Sequence, residues 1–413
     1  MPMPRSTPRL ILLLAAAFLL CACRSTPSTP SPSSTSAPST ANRQDLAPDA
    51  RIGRIERGLV PLDASRRESG PPRSIAERMA DLRIPGLSVA LFDQGHLQWA
   101  QGYGVRDAVT REPVDPSTLF QAASISKPVS SVTLFRLVDQ GTLTLDEDVN
   151  DRLRSWKVPE NAFDRIEKVT PRRIVTHMAG LTGHGFGGYA QGDALPTVRQ
   201  ILDGSPPANS AAVRVDAVPG TLERYSGGGF MVLQLLMEEA SGRPFTALAQ
   251  EAVLLPAGMR DSTFSQPLPP ALAGRAAAGH TSDGERLKGR YHVYPELAAA
   301  GLWTTPSDLA RFMLAVDRSA RGEPDGLLSP TSARTMLTRV PGGDGQGFDL
   351  SGTGEALRYS HAGGNAGFRC YAAAFAGTGR GVVLMTYSDE GDRLVREVTR
   401  AIAREYGWPT LRD

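Results

Sequence analysis

Lysine is scarce in this 413-residue chain. Only Lys127, Lys157, Lys168 and Lys288 stand among 45 basic residues, and the rest are arginine. Arginine stays protonated, whereas burial or neighbours bring a lysine near neutrality. The four retained lysines are therefore the first places to look for proton transfer. Cysteine is scarcer still. Cys21, Cys23 and Cys370 cannot build a disulfide framework, and none lies in CxxC spacing. No HExxH and no Cys/His cluster occurs, so neither a metal nor a cofactor is expected. No G-x-S-x-G elbow occurs either, which argues against an α/β-hydrolase. Charge of one sign is missing: 45 bases face 43 acids. That balance offers no bulk field for a nucleic-acid partner. Internal repeats are absent.

Residues 10–20 form an apolar run too short to span a bilayer but suited to a signal-peptide core, with Arg5 and Arg9 before it. Leu20-Cys21-Ala22-Cys23 follows and resembles a bacterial lipobox, whose last cysteine becomes the lipidated first residue. Residues 24–42 are Ser/Thr/Pro-rich and cannot bury a core, so they read as a flexible tether. The expected organisation is a signal peptide over 1–22, a lipidated Cys23 with its tether over 23–48, and a catalytic domain over 49–413. The mature protein is expected on the periplasmic side, held to the cell envelope by its lipid.

In the remaining chain, residues 87–92 and 96–102 read as two strands joined by Asp93-Gln94-Gly95. Residues 370–375 and 381–387 read as another pair joined by a Gly-rich turn. Helices are expected over 124–138, 170–177, 230–241, 309–316 and 394–406. Strands thus concentrate at both ends and helices in the middle. An α+β fold follows, with an antiparallel sheet region (about 75–123 and 275–413) and an inserted helical region (about 124–274).

Ser124-Ile125-Ser126-Lys127 places a hydroxyl and an amine on one face of a helix start. Serine needs a base to become a nucleophile, and a partly buried lysine is one. Gly183-x-Gly185-x-x-Gly188 satisfies GxGxxG but follows a helix, not a strand, and is set aside as a dinucleotide site. His177 and His184 lack an acidic partner in register and are expected to be structural.

Phe120 to Lys127 resembles the nucleophile segment of the serine β-lactamase-like superfamily, in its class C, D-alanyl-D-alanine carboxypeptidase and esterase branch. Further segments match in order: Ile84 to Val89, Leu143 to Asp146, Ile174 to Leu181, Tyr225-Ser226-Gly227, Pro256 to Met259, Gly301 to Leu309, and His361-Ala362-Gly363. The resemblance implies the β-lactamase/transpeptidase-like fold and an acyl-enzyme on Ser124. It assigns proton transfer to Lys127 and Tyr225, the Tyr225 phenol serving as a base once its pKa is lowered by the nearby ammonium. It implies an oxyanion hole of the Ser124 and Gly364 N–H groups, with Gly363 allowing close approach. His361 lines the pocket and supplies one donor. Two departures stand out. Gly227 replaces the asparagine of the family's second motif, and His361-Ala362 replaces its Lys-Thr. The expected activity is therefore hydrolysis of esters or amides of small molecules or peptides. The alternatives are a class C-like β-lactamase or penicillin-binding carboxypeptidase, and a catalytically weak binding or sensor protein.

Overall fold

The computed structural model describes residues 48–411. Cys23, the apolar run and the tether lie outside the described residues. Six strands pair antiparallel in one sheet: β1 (Gly86–Asp93), β2 (His96–Gly104), β5 (Asp349–Ser351), β6 (Arg358–Asn365), β7 (Phe368–Phe375) and β8 (Arg380–Thr386). Their order is β2-β1-β8-β7-β6-β5, so the first hairpin closes onto the last strand. A separate two-stranded ladder joins β3 (Phe120–Gln121) to β4 (Trp303–Thr304).

Both faces of the sheet are covered, which is why its central strands read as nearly unbroken apolar runs. The period of two still sorts their side chains. Leu87, Val89 and Leu91 of β1, with Val382 and Leu384 of β8, meet Leu394, Val395, Val398 and Ile402 of the Gly391–Tyr406 helix. Ala90 and Phe92, with Val383 and Met385, face the opposite and larger core. That core takes Val129, Val132 and Phe135 from the Ser126–Asp139 helix and Leu309, Phe312 and Met313 from the Pro306–Arg321 helix. The C-terminal helix carries one buried acid. Glu397 accepts Arg78 Nε and Nη2 at 2.8 Å each and the Leu62 N–H at 2.9 Å, tying the 59–78 segment to the sheet layer.

Two sequence expectations shift. The main sheet resumes at Asp349, well after residue 275; the intervening chain supplies three helices, Leu297–Ala300, Pro306–Arg321 and Pro330–Met336, and the two-residue β4. The helix expected from Phe230 begins at Gly227. Glycine propensity argues against such a start. The start is fixed instead by Ser226, whose Oγ accepts the Gly229 N–H at 2.9 Å. At Gly228 a Cβ would collide with the Thr182 carbonyl, so the helix needs glycine for the 182–186 loop to dock.

One feature of the topology places the site. β5 pairs with β6 only at residues 358–360. Residues 361–365 therefore present an edge with no strand partner on that side, alongside the turn that carries Ser124.

Candidate active site

Every residue from Thr118 to Phe135 is buried except Ser124. It sits in a single turn of 3₁₀ helix, Ala123–Ile125, just before the Ser126–Asp139 helix. Ala123 has φ +49°, in the left-handed region. A non-glycine residue held there costs about 1–3 kcal/mol. The surroundings hold it: the Ala122 N–H donates to the Leu302 carbonyl at 2.9 Å, and the Leu302 N–H donates to Ser126 Oγ at 3.0 Å.

Lys127 is 2% exposed. Its Nζ lies 3.1 Å from Ser124 Oγ and donates to the Ala299 carbonyl at 2.9 Å. Burial drives its pKa from 10.5 to about 7, and no carboxylate contributes. At neutral pH a large share of Lys127 is free amine, whose lone pair is able to take the Ser124 proton.

The Tyr225 side chain lies beside Ser124, whose hydroxyl stabilises the phenolate form. Its ring centroid is 4.8 Å from Lys127 Nζ. The direction of its pKa differs from the sequence expectation. Burial pushes it well up, and the neighbouring Ser124 hydroxyl returns only part of the shift. The expected lowering needs a charged ammonium, and the same burial removes charge from Lys127. Tyr225 is therefore a neutral O–H, suited to hand over a proton rather than to act as a phenolate.

His361 is buried on β6, with its ring centroid 6.3 Å from that of Tyr225. Its Nδ1 lies 2.6 Å from the Ala362 carbonyl, which only accepts, so Nδ1 carries the proton. Burial, opposed by Asp349 and reinforced by Lys127, lowers its pKa. The neutral ring thus offers Nε2 as an acceptor. The single donor expected from the sequence is already committed to the backbone. Gly363 touches the nucleophile's turn: a Cβ there would collide with the Ala122 carbonyl and with Cys370 Sγ. Gly364 is exposed on the open stretch of β6.

Two histidines expected to be structural also converge here. The rings of His177 and His184 lie 4.4 and 5.0 Å from that of Tyr225. Neither was marked by local spacing, because both reach Tyr225 across about 40 residues or more of chain. The asparagine missing at Gly227 has a physical substitute. A Cβ on Gly227 would sit 3.1 Å from both the His184 carbonyl and Phe186 Cε2. The 182–186 loop fills the place, and the Gly227 N–H donates to the His184 carbonyl at 3.1 Å. Among the described residues no group of His, Cys, Asp or Glu is arranged to hold a metal.

A buried lysine under a serine at a helix start, at the junction of an antiparallel sheet and a helical layer, defines the penicillin-binding and β-lactamase-like class of fold. The beta-lactamase family profile matches residues 72–406, and the chain belongs to that family. It is 27% identical over 195 residues to the esterase EstB of Burkholderia gladioli, covering 46% of this chain and 49% of that one. It is 26% identical over 285 residues to the D-alanyl-D-alanine-carboxypeptidase/endopeptidase AmpH of Escherichia coli K12, covering 66% and 67%. In fold it is similar to the octameric penicillin-binding protein homologue of Pyrococcus abyssi, with TM-score 0.67 and 24% identity over 81% of this chain and 76% of that one.

Proposed function

We propose that this chain is a serine hydrolase that cleaves small esters and amides through an acyl-enzyme on Ser124. The observation that carries the reading is the wholly buried Lys127, 3.1 Å from the one serine of its segment that reaches the surface. Neutral Lys127 takes the Ser124 proton as Oγ attacks the carbonyl. The Ser124 and Gly364 N–H groups hold the oxyanion at the open edge of β6. Tyr225 gives its phenol proton to the leaving group and is reprotonated from Lys127, which returns to the free amine. Lys127 then draws a proton from the water that attacks the acyl carbonyl and hands it to Ser124 Oγ as the ester bond breaks, which restores the serine hydroxyl and the free amine.

The surroundings favour substrates without a carboxylate. His361 Nε2 is an acceptor and Ala362 has no hydroxyl, so no donor pair replaces Lys-Thr. The Asp349 charge reaches both His361 and Tyr225 and opposes an anion there. Phe186 lies where the second-motif asparagine would project. The similarity to an esterase and to a carboxypeptidase supports ester and amide chemistry alike. The sequence before residue 48 supports export and a lipid anchor at Cys23.

A panel of short p-nitrophenyl esters, D-amino-acid amides, a D-Ala-D-Ala peptide and a chromogenic cephalosporin tests the assignment. The expected result is a higher kcat/KM for an ester or small amide than for the cephalosporin. A cephalosporin ahead of all others would replace this reading with a β-lactamase. Covalent labelling without turnover of any member would replace it with a binding protein.

A further inference from the structure

Tyr225 lies against the Ser124–Lys127 pair, its ring centroid 4.8 Å from Lys127 Nζ, yet its own segment is not part of the sheet or of a long helix. It lies in the residues leading into the Gly227–Ser241 helix. Something must fix it, and one residue grips it from both sides. The His177 carbonyl accepts the Arg224 N–H at 2.8 Å. His177 Nδ1 accepts the Ser226 N–H at 3.1 Å. These are the N–H groups of the two residues that flank Tyr225 in sequence. The His177 ring then packs on the Tyr225 ring, centroids 4.4 Å apart at 36°.

The grip requires an unusual backbone. The helix expected to run through His177 ends at Val175, with Thr176 as its cap, and His177 takes φ +57°. In that left-handed conformation its carbonyl and its ring both reach the 224–226 segment. For a non-glycine residue this conformation is unfavourable, so the contacts must outweigh it. The ring must also be neutral at Nδ1 to accept. Burial, Lys127, His361 and His184 all hold its pKa well below the ordinary 6.5.

We propose that His177 is the positioning residue that fixes the Tyr225 phenol against Ser124 for proton delivery to the leaving group. The inference rests on the acyl-enzyme reading, and its test separates the two. A p-nitrophenolate leaves without help, whereas an alkoxide or an amine needs a proton. Loss of Tyr225 function therefore slows alkyl esters and amides far more than p-nitrophenyl esters.

The variants are His177→Gly, His177→Asn, Tyr225→Phe and the His177→Gly/Tyr225→Phe pair. Glycine keeps the left-handed backbone and removes the acceptor and ring. Asparagine tolerates the same φ and places its amide oxygen near the Nδ1 position. Each protein is assayed on a p-nitrophenyl ester and an alkyl ester of the same acid. If the wild type hydrolyses neither, the functional reading fails. If it hydrolyses both, His177→Gly should lose about 10²-fold on the alkyl ester and less than about fivefold on the p-nitrophenyl ester, as should Tyr225→Phe. The double variant should be no slower than Tyr225→Phe alone, because both changes remove one function. His177→Asn should keep a wild-type ratio between the two esters. Equal losses on both esters, additive losses in the double variant, or an asparagine variant as selective in its defect as glycine would overturn the proposal. Should the glycine variant fail to fold, the ratio measured on the asparagine variant decides alone.

Discussion

The depressed pKa of Lys127 has two measurable consequences of opposite value to the protein. The first is kinetic. A free amine is needed to accept the Ser124 proton, and the amine is half formed at about pH 7. Because the folded-state pKa lies below 10.5, activity rises with pH through about 7 and then levels. At pH 5 only about 1% is free base, so kcat/KM should stand about hundredfold below its plateau. His177 and His361 are both held below their ordinary range and do not supply this limb. Lys127→Arg keeps a cation but cannot lose its proton, and should cost about 10³-fold or more. The second consequence is on stability. Between about pH 7 and 10.5 the unfolded chain holds the lysine proton and the folded chain does not, so stability rises with pH across that window. Below about 7 both states hold the proton and the full penalty applies. At about 1.4 kcal/mol per pH unit the penalty is on the order of 4–5 kcal/mol. Lys127→Met removes it and loses the hydrogen bonds to Ser124 and Ala299, worth about 1–3 kcal/mol together. The methionine variant should therefore be more stable at pH 7 by about 1–3 kcal/mol and inactive. Urea unfolding at several pH values, with ester hydrolysis from pH 5 to 9, measures both. A rate that climbs without a break to pH 9, or Lys127→Arg within tenfold of wild type, would refute the buried-base argument.

Gly227→Asn should not restore a β-lactamase pocket. Its Cβ meets the His184 carbonyl and Phe186 at 3.1 Å, so the variant should lose about 1–3 kcal/mol in chemical denaturation and gain no cephalosporin turnover. Glu397→Ala leaves Arg78, which is 5% exposed, largely without its main partner. It should cost about 3–5 kcal/mol in the same assay, with kcat unchanged in the protein that remains folded. A palmitate analogue fed to expressing cells should label the wild type and not Cys23→Ser; equal labelling of both would remove the lipid anchor.

The sequence marks those parts of the molecule whose physics is local. Ser-x-x-Lys is legible because three residues along a helix bring the two side chains together. β1, β7 and β8 are legible because sheet coverage on both faces leaves their centres as nearly unbroken apolar runs. β6 is not: Arg358-Tyr359-Ser360-His361 followed by glycines has weak strand character, and its register comes from pairing with β7, Gly363 against Cys370. The Ala299 carbonyl that holds Lys127 is a backbone group that any residue supplies, so no side-chain pattern points to it. His177 reaches Tyr225 from 48 positions away only because its backbone turns left-handed after Val175, an event that the helix signal of residues 170–177 conceals. Gly227 reads as a lost asparagine until the 182–186 loop is seen in its place.

The central claim is that Ser124 carries the acyl group. Intact-mass analysis of the protein quenched during hydrolysis of a slow ester, followed by peptide mapping, measures it directly. The account predicts one acyl adduct, on the peptide holding Ser124, absent from Ser124→Ala together with all turnover. An adduct on another residue, or hydrolysis undiminished in Ser124→Ala, would contradict it.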